Sequence, residues 1–464
     1  MKKTEKRTFR VPHQLIIMLA IAAIATLATY VIPAGAYEQI EINGRKAIDA
    51  ASFHYIDQTP VGPWQAFLAL PGGFSKQVSI IAMITMIAGA IGVINETKCI
   101  DASIGKLVSK YKNNLYIIVP LLLGVFTILG TMGINTPIIA FVPIALILGR
   151  SLGGDALVGV TLVLMGEICG QAGGAFCTSS TTVAQELVGL EIFTGWQLRI
   201  IASVVLWAVG SVFLIRYVQK IRKDPTKSIL HGVEGVAAEA DGSSEEAELT
   251  PRRIGALITF IIGFGVLVYG ATHGWSTADA IPAVFMLTAI ACGLISGFSP
   301  DKIAKEFVKG AKTMTGAALV VAFATGINTI LSSGNIIHTI VHAMASLFSG
   351  GSAYVSAIGM YISNLLINFV LCSSSSQATT VIPIFSGVGD VLGLTQQTVV
   401  QTFNFGDAFT NLVTPVSSVL MGCIGCAGVP WDRWLKFAWK WLLVFIAIGG
   451  VFIMIGVGIN YGPF

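Results

Sequence analysis

Two carboxylates, Glu167 and Asp407, stand inside long apolar stretches, and each is followed four residues later by an amide side chain, Gln171 and Asn411. Residues i and i+4 share one face of a helix, so each pair presents an acid and an amide together. A carboxylate at the centre of a transmembrane helix costs about 3 kcal/mol on insertion scales and marks function by default. Three roles fit: ligating Na⁺, carrying a coupled proton, or holding a substrate's ammonium group. The structural alternative is that each acid caps or braces a helix end through backbone hydrogen bonds.

Hydroxyls cluster around these acids at breaks in the apolar pattern. Residues 155–190 and 396–428 are single spans interrupted by "GGAFCTSSTT" and "TNLVTPVSS". Residues 115–150 and 354–393 are roughly twice the length of one span, with polar centres "GTMGINTP" and "CSSSSQATT". Backbone groups freed in hydrocarbon cost several kcal/mol each, so such breaks must line an enclosed, wet site. The candidate binding residues, besides the acids and amides, are Asn135, Thr136, Thr178, Ser179, Ser180, Ser373, Ser374, Ser375, Ser376, Gln377, Thr414 and Ser417. Hydroxyls and amides replace water around a small ion or a carboxylate, and half-helix N-termini favour anionic groups. Ser and Thr also pack or bond back within membrane helices, so the argument rests on their clustering at four breaks. Asn364 and Asn368, one turn apart before the serine run, are read as braces of that hairpin.

The elements that must position these groups follow from composition. The chain has 464 residues, 54% hydrophobic and 11% charged, with mean hydropathy +0.79, which makes it an all-α polytopic membrane protein. Its start imitates a signal peptide with an A-x-A site, but the apolar run from Gln14 to Ile32 is long enough to span and is read as a retained first helix. Further uncharged runs predict helices near 78–95, 197–215, 254–272, 280–298, 313–331 and 436–458. The segment from about 34 to 77 reads as an outer loop.

An internal repeat appears at an offset of about 240 residues. Pro143 matches Pro383, Gly166-Glu167 matches Gly406-Asp407, Gln171 matches Asn411, and Phe67 aligns with Phe307. The second copy has one extra span, so the copies are read as inverted: 1–218, with hairpin 115–150 and broken helix 155–190, and 253–464, with hairpin 354–393 and broken helix 396–428. Nine crossings and two re-entrant hairpins then leave only Arg45, Lys46, Lys76 and Arg199 outside among the 28 Lys and Arg. That bias places the N-terminus in the cytoplasm, the C-terminus outside, and the chain in a bacterial inner membrane. Residues 219–252 form a cytoplasmic linker whose Gly, Ser and Glu content predicts disorder.

Other features carry less. Seven cysteines include one close pair, Cys423 and Cys426, with no second pair to complete a zinc site. His338 and His342 sit one turn apart without a third ligand and are assigned to an outer helix. Trp431, Trp434, Trp439 and Trp441 read as an interfacial belt with Lys436 and Lys440. Neither a G-x-x-x-x-G-K-S/T loop nor a His-rich catalytic set is present, which argues against an enzyme and against ATP-driven transport by this chain itself. A channel remains the rival, since hydroxyl-lined re-entrant loops also build pores.

Inverted repeats with broken helices are the architecture of secondary transporters, with substrate and ions near the midplane. The stretches "NFVLCSSSSQATT", "FGDAFTNLVTPVSS" and "GVPWDRWLKFAWKW" resemble the YfcC-like group within the C4-dicarboxylate anaerobic carrier C family, part of the ion transporter superfamily. The resemblance covers nearly the whole chain. It implies an inner-membrane secondary carrier of carboxylates or amino acids, an elevator-type fold and a scaffold that often dimerises, so a homodimer joins the lipid bilayer and a small substrate as partners. No nucleic acid and no cofactor are expected beyond Na⁺ or H⁺ as coupling ion, with Na⁺ at the hairpin tips.

One departure sharpens the substrate class. The first hairpin tip of the family commonly reads Gly-Met-x-Glu-Glu, whereas here it is "GINTP", with Asn135 and Thr136 in place of acids. "INT" looks like the Ser-Asn-Thr signature of sodium-coupled dicarboxylate carriers, and a neutral tip suits a carboxylate or Na⁺ better than arginine. The expectation is a Na⁺- or H⁺-coupled symporter, or an exchanger, of small organic carboxylates. An arginine/ornithine-type antiporter is the alternative.

Overall fold

The computed structural model describes residues 14–42, 45–49, 51–99, 102, 114–133, 135–177, 179–233, 250–272, 277–312, 314–346 and 351–462. The basic N-terminal segment, Thr178 and linker residues 234–249 lie outside the described residues, and with them the expectation of a disordered linker.

Each expected apolar run is helical: Gln14–Val31, Val78–Glu96, Trp196–Lys223, Pro251–Thr272, Thr277–Ile295, Thr315–Ser333 and Trp431–Gly458. Two further helices are enclosed by protein: every residue of Ala156–Gly173 is buried, and every residue of Gln396–Thr410 after Gln396 is buried. These two central helices pack on each other. Leu115–Thr131 packs against the first and Ala353–Ile367 against the second.

Small residues set that close approach. A Cβ on Gly130 would collide with the Glu167 carbonyl, and one on Gly406 would collide with Asn364. The backbone of each hairpin therefore lies directly on a central helix, which fixes the hairpin tips relative to the acids.

The helices sort into two blocks. The central helices, the hairpins and the flanking Trp196–Lys223 and Trp431–Gly458 form one. In the other, Pro63–Lys76 packs on Thr315–Ser333, Pro300–Lys312 on Val78–Glu96, and Thr277–Ile295 on Val78–Glu96 and Pro251–Thr272. The pairing is exchanged between halves: the helix before a span in one half lies on the corresponding span of the other. The blocks meet where Thr315–Ser333 touches Ser418–Cys426 and Val78–Glu96 touches Thr136–Phe141.

Two sequence expectations are corrected. The segment read as a loop from 34 to 77 contains two small antiparallel strand pairs and the helix Pro63–Lys76. Pro63 is preset for the first helical position, and the Gly62 amide donates to Gln65 Oε1 at 3.1 Å, a cap that starts the helix. Of the tryptophans read as an interfacial belt, Trp434 and Trp441 are fully buried. The indole N–H groups of Trp431 and Trp434 donate to the carbonyls of Val413 and Leu412 at 3.0 and 2.7 Å, satisfying backbone that the second break leaves open.

Candidate functional site

Each central helix is started by a cap and stopped by a break. Asp155 Oδ1 accepts from the Val158 amide at 3.2 Å, while its other oxygen accepts from Tyr217 at 2.8 Å and Ser228 at 2.6 Å. The first central helix stops at Gly174, whose φ of 66° is left-handed, and a side chain there would strike Thr181. The chain resumes as Thr181–Leu187. The second starts at Thr395, stops at Asn411 and resumes as Ser418–Cys426, where Ser417 Oγ accepts from the Leu420 amide at 3.3 Å.

Between the breaks and the hairpin tips lies a cavity of about 380 Å³. Asn135, Glu167, Gln171, Ser179, Ser373, Ser374, Ser375, Asn411 and Ser417 line it, so nine of the sequence candidates converge on one space. Two helix N-termini, those of Ser374–Val391 and Ser418–Cys426, open onto it and present first-turn amides suited to an anion.

The acids differ in their contacts. Asp407 Oδ2 accepts from Ser374 Oγ at 2.6 Å and from Gln171 Nε2 at 3.1 Å. Asn368 Nδ2 donates to the Asp407 carbonyl at 2.7 Å and to Asn411 Oδ1 at 3.0 Å, a brace of the kind expected for this residue. Glu167 is 1% exposed and meets no hydrogen-bond donor among the described residues. Four buried oxygens, Asn135 Oδ1, Glu167 Oε1, Asn328 Oδ1 and Asp407 Oδ1, accept nothing there. Buried acceptors without donors call for a cation or a proton, since each costs about 1–3 kcal/mol left unpaired. All are hard oxygens, suited to Na⁺, H⁺ or an ammonium group.

Other described candidates make contacts of their own. Asp407 touches the cavity through Ser374 and Gln171. Ser180 is buried and donates to Cys177 Sγ at 3.1 Å. Gln377 donates to Asn364 Oδ1 at 3.1 Å, and buried Thr414 Oγ1 accepts from the Val416 amide at 3.4 Å. Thr136 begins the short 3-10 helix Thr136–Phe141 at the first tip. Ser376 faces a second space of about 430 Å³.

That second space shares Gln77, Thr325, Asn328 and Ser373 with the cavity, and a third of about 550 Å³ shares Lys76 and Thr329 with the second. Together they form a vestibule between the cavity and the segment before Pro63. His338 lines the vestibule. His342 instead accepts or donates at 3.0 Å with the Tyr37 hydroxyl and stacks on Phe53, 3.9 Å between ring centroids, so the two histidines do not converge.

Gln77, Thr325 and Asn328 are site residues that the sequence reading missed. One signal pointed to the last: the tetrapeptide Gly-Ile-Asn-Thr occurs at 133–136 and again at 326–329, and both asparagines reach the cavity. Gln77 sits between Pro63–Lys76 and Val78–Glu96, where the chain bends by 60°.

The sequence is 28% identical to YfcC of Escherichia coli, whose name proposes a basic amino acid antiporter, over 93% of both chains. It is 25% identical to an uncharacterised protein of Haemophilus influenzae over 98% of both. Among solved structures, MtrF of Neisseria gonorrhoeae, described within a class of antimetabolite efflux pumps, gives a TM-score of 0.46 at 14% identity, covering 97% of this chain and 96% of that one. The YdaH transporter of Alcanivorax borkumensis gives 0.43 at 15% identity, covering 97% and 100%. The family model described as C4-dicarboxylate anaerobic carrier matches residues 11–458. The chain is a multi-pass membrane transporter and belongs to the C4-dicarboxylate anaerobic carrier family, DcuC.

Proposed function

We propose that the protein is a secondary carrier of small organic carboxylates in a bacterial inner membrane, driven by Na⁺ or H⁺ or run as an exchanger. The observation that carries this reading is the pairing, around one cavity, of two helix N-termini with a set of unpaired acceptor oxygens. The amides and the hydroxyls of Ser373, Ser374 and Ser375 suit a carboxylate. Asn135, Glu167, Asn328 and Asp407 suit the cation that travels with it.

Two inverted repeats, 1–218 and 253–464, supply this arrangement. The exchanged packing of Pro63–Lys76 on Thr315–Ser333 and of Pro300–Lys312 on Val78–Glu96 supports that reading, as does the Lys and Arg bias for an N-terminus inside. The hairpins and central helices slide as one body against the other block, in an elevator motion.

A second reading has an observation of its own. Glu167 lines, and Asp407 adjoins through Ser374 and Gln171, a cavity whose lining includes no Lys or Arg among the described residues, and one relative is named for basic amino acids. An amino acid would place its ammonium at the acids and its carboxylate at the helix N-termini.

Purified protein in liposomes separates the readings. Labelled succinate, citrate, arginine, ornithine and glutamate are offered with an inward Na⁺ gradient, a proton gradient or neither, with and without unlabelled competitor inside. Saturable succinate or citrate uptake driven by one gradient supports the carboxylate carrier and names the ion. Arginine–ornithine exchange without carboxylate uptake overturns it, and non-saturable flux identifies a channel.

A further inference from the structure

The vestibule carries a feature that the central cavity lacks. Lys76 borders both of its spaces, the last residue of Pro63–Lys76 and the neighbour of Gln77, which reaches the cavity. Its Nζ donates to Thr329 Oγ1 at 2.9 Å, and Thr329 follows Asn328, another cavity residue. The hydroxyl orients the ammonium without neutralising it, because a threonine brings no charge.

No carboxylate lines either vestibule space among the described residues. The other basic group there, His338, is half-buried, and burial holds its imidazole below the ordinary histidine range, neutral at pH 7. The rest of the lining is uncharged: hydroxyls and amides such as Ser332, Asn335, Ser373 and Ser376 alternate with apolar groups such as Leu68, Ile330 and Leu371. A positive charge beside such an entrance raises the local concentration of anions and lowers that of cations.

We propose that Lys76, held by Thr329, forms an anion subsite in the vestibule that captures the substrate's carboxylate before it passes Gln77 and Ser373 into the central cavity. The subsite explains how a cavity lined by Glu167, with Asp407 behind it, still receives an anion: attraction acts at the entrance, and the helix N-termini take the carboxylate over inside. Capture rests on the carrier reading above, whereas the anion preference of the vestibule does not. By the topology read from the Lys and Arg distribution, this entrance is extracytoplasmic.

The test uses Ser332→Cys, an exposed lining position, in the otherwise unchanged protein, with the parent protein correcting for native thiols. Labelling rates are compared for methanethiosulfonates carrying a sulfonate or a trimethylammonium group. Replacing Lys76 by Gln lowers the sulfonate-to-ammonium rate ratio about fivefold at low salt, the size set by one screened charge at vestibule distances, and Lys76→Arg preserves it. In the same liposomes Lys76→Gln raises the apparent KM for succinate about tenfold with kcat nearly unchanged. An unchanged labelling ratio in Lys76→Gln overturns the subsite, and a changed ratio with unchanged KM overturns its role in capture. Wild-type protein that moves no succinate fails the carrier reading and the capture role alike, while the labelling ratio still decides whether the anion subsite exists.

Discussion

Glu167 and Asp407 occupy the same place in the two halves of the chain, yet their surroundings differ. Asp407 is held by Ser374 from the second hairpin and by Gln171 from the first central helix, so its position ties three elements together. Glu167 is as deeply buried and has no donor among the described residues. Both central helices carry an acid four residues before an amide, but the two hairpin tips differ. The second tip supplies a hydroxyl to its acid, while the first supplies Asn135, which donates to Ser179 at 3.2 Å instead. A fixed acid can hold a site together; an unpartnered one can exchange a proton or an ion during each cycle.

Substituting each acid by its amide breaks the comparison most directly. Asp407→Asn removes the charge while leaving an oxygen that accepts from Ser374 and Gln171, so the fold survives and gradient-driven transport falls about 100-fold, the scale of one to two charge-assisted hydrogen bonds. Uptake and thermal unfolding measured together check this, and wild-type uptake with wild-type gradient dependence would remove Asp407 from the mechanism. Glu167→Gln has the smaller effect on rate, about tenfold, but it uncouples: exchange persists while dependence on the driving gradient is lost. If Glu167→Gln unfolds the protein and Asp407→Asn only uncouples it, the assigned roles are reversed.

The two regions were unequally legible in the sequence. The acids, their amides and the hydroxyl-rich breaks stood out because lipid tolerates none of them without a reason, and the structure gathers nine of these candidates around one cavity. The vestibule wall was harder to read. Pro63–Lys76 carries Pro71 and two internal glycines, poor helix formers, and it is helical because a tight backbone crossing on Thr315–Ser333 requires small residues such as Gly73 and Gly326. Trp434 looks interfacial by type, and only its long-range partner, the Leu412 carbonyl 22 residues earlier, reveals it as a brace. Local pattern reports what must leave lipid, not which distant group receives it.

Ser374→Ala sharpens the comparison at the hairpin. It deletes the shorter of the two bonds to Asp407 without changing the charge, and its apparent affinity for the coupling ion falls about tenfold, near the lower end of what a hydrogen bond to a charged group contributes. Ser375→Ala, in the same lining but without a bond to Asp407, changes that affinity less than threefold. Equal effects of the two would show that the serine run acts as a general hydroxyl lining and that the Asp407 contact is incidental.

The smallest effect belongs to Asn328, which repeats the tetrapeptide context of Asn135 on the opposite block. Its Oδ1 is buried and accepts nothing among the described residues, so Asn328→Ala sacrifices no protein contact at that atom. If the oxygen serves a cation during part of the cycle, the variant unfolds at the wild-type temperature but needs about fivefold more coupling ion for half-maximal uptake, close to 1 kcal/mol. Asn135→Ala loses both such an oxygen and the bond to Ser179, so it lowers ion affinity and thermal stability together. A fall in melting temperature for Asn328→Ala with unchanged ion dependence would reduce the residue to a packing role and confine the ion to the block that holds Glu167 and Asp407.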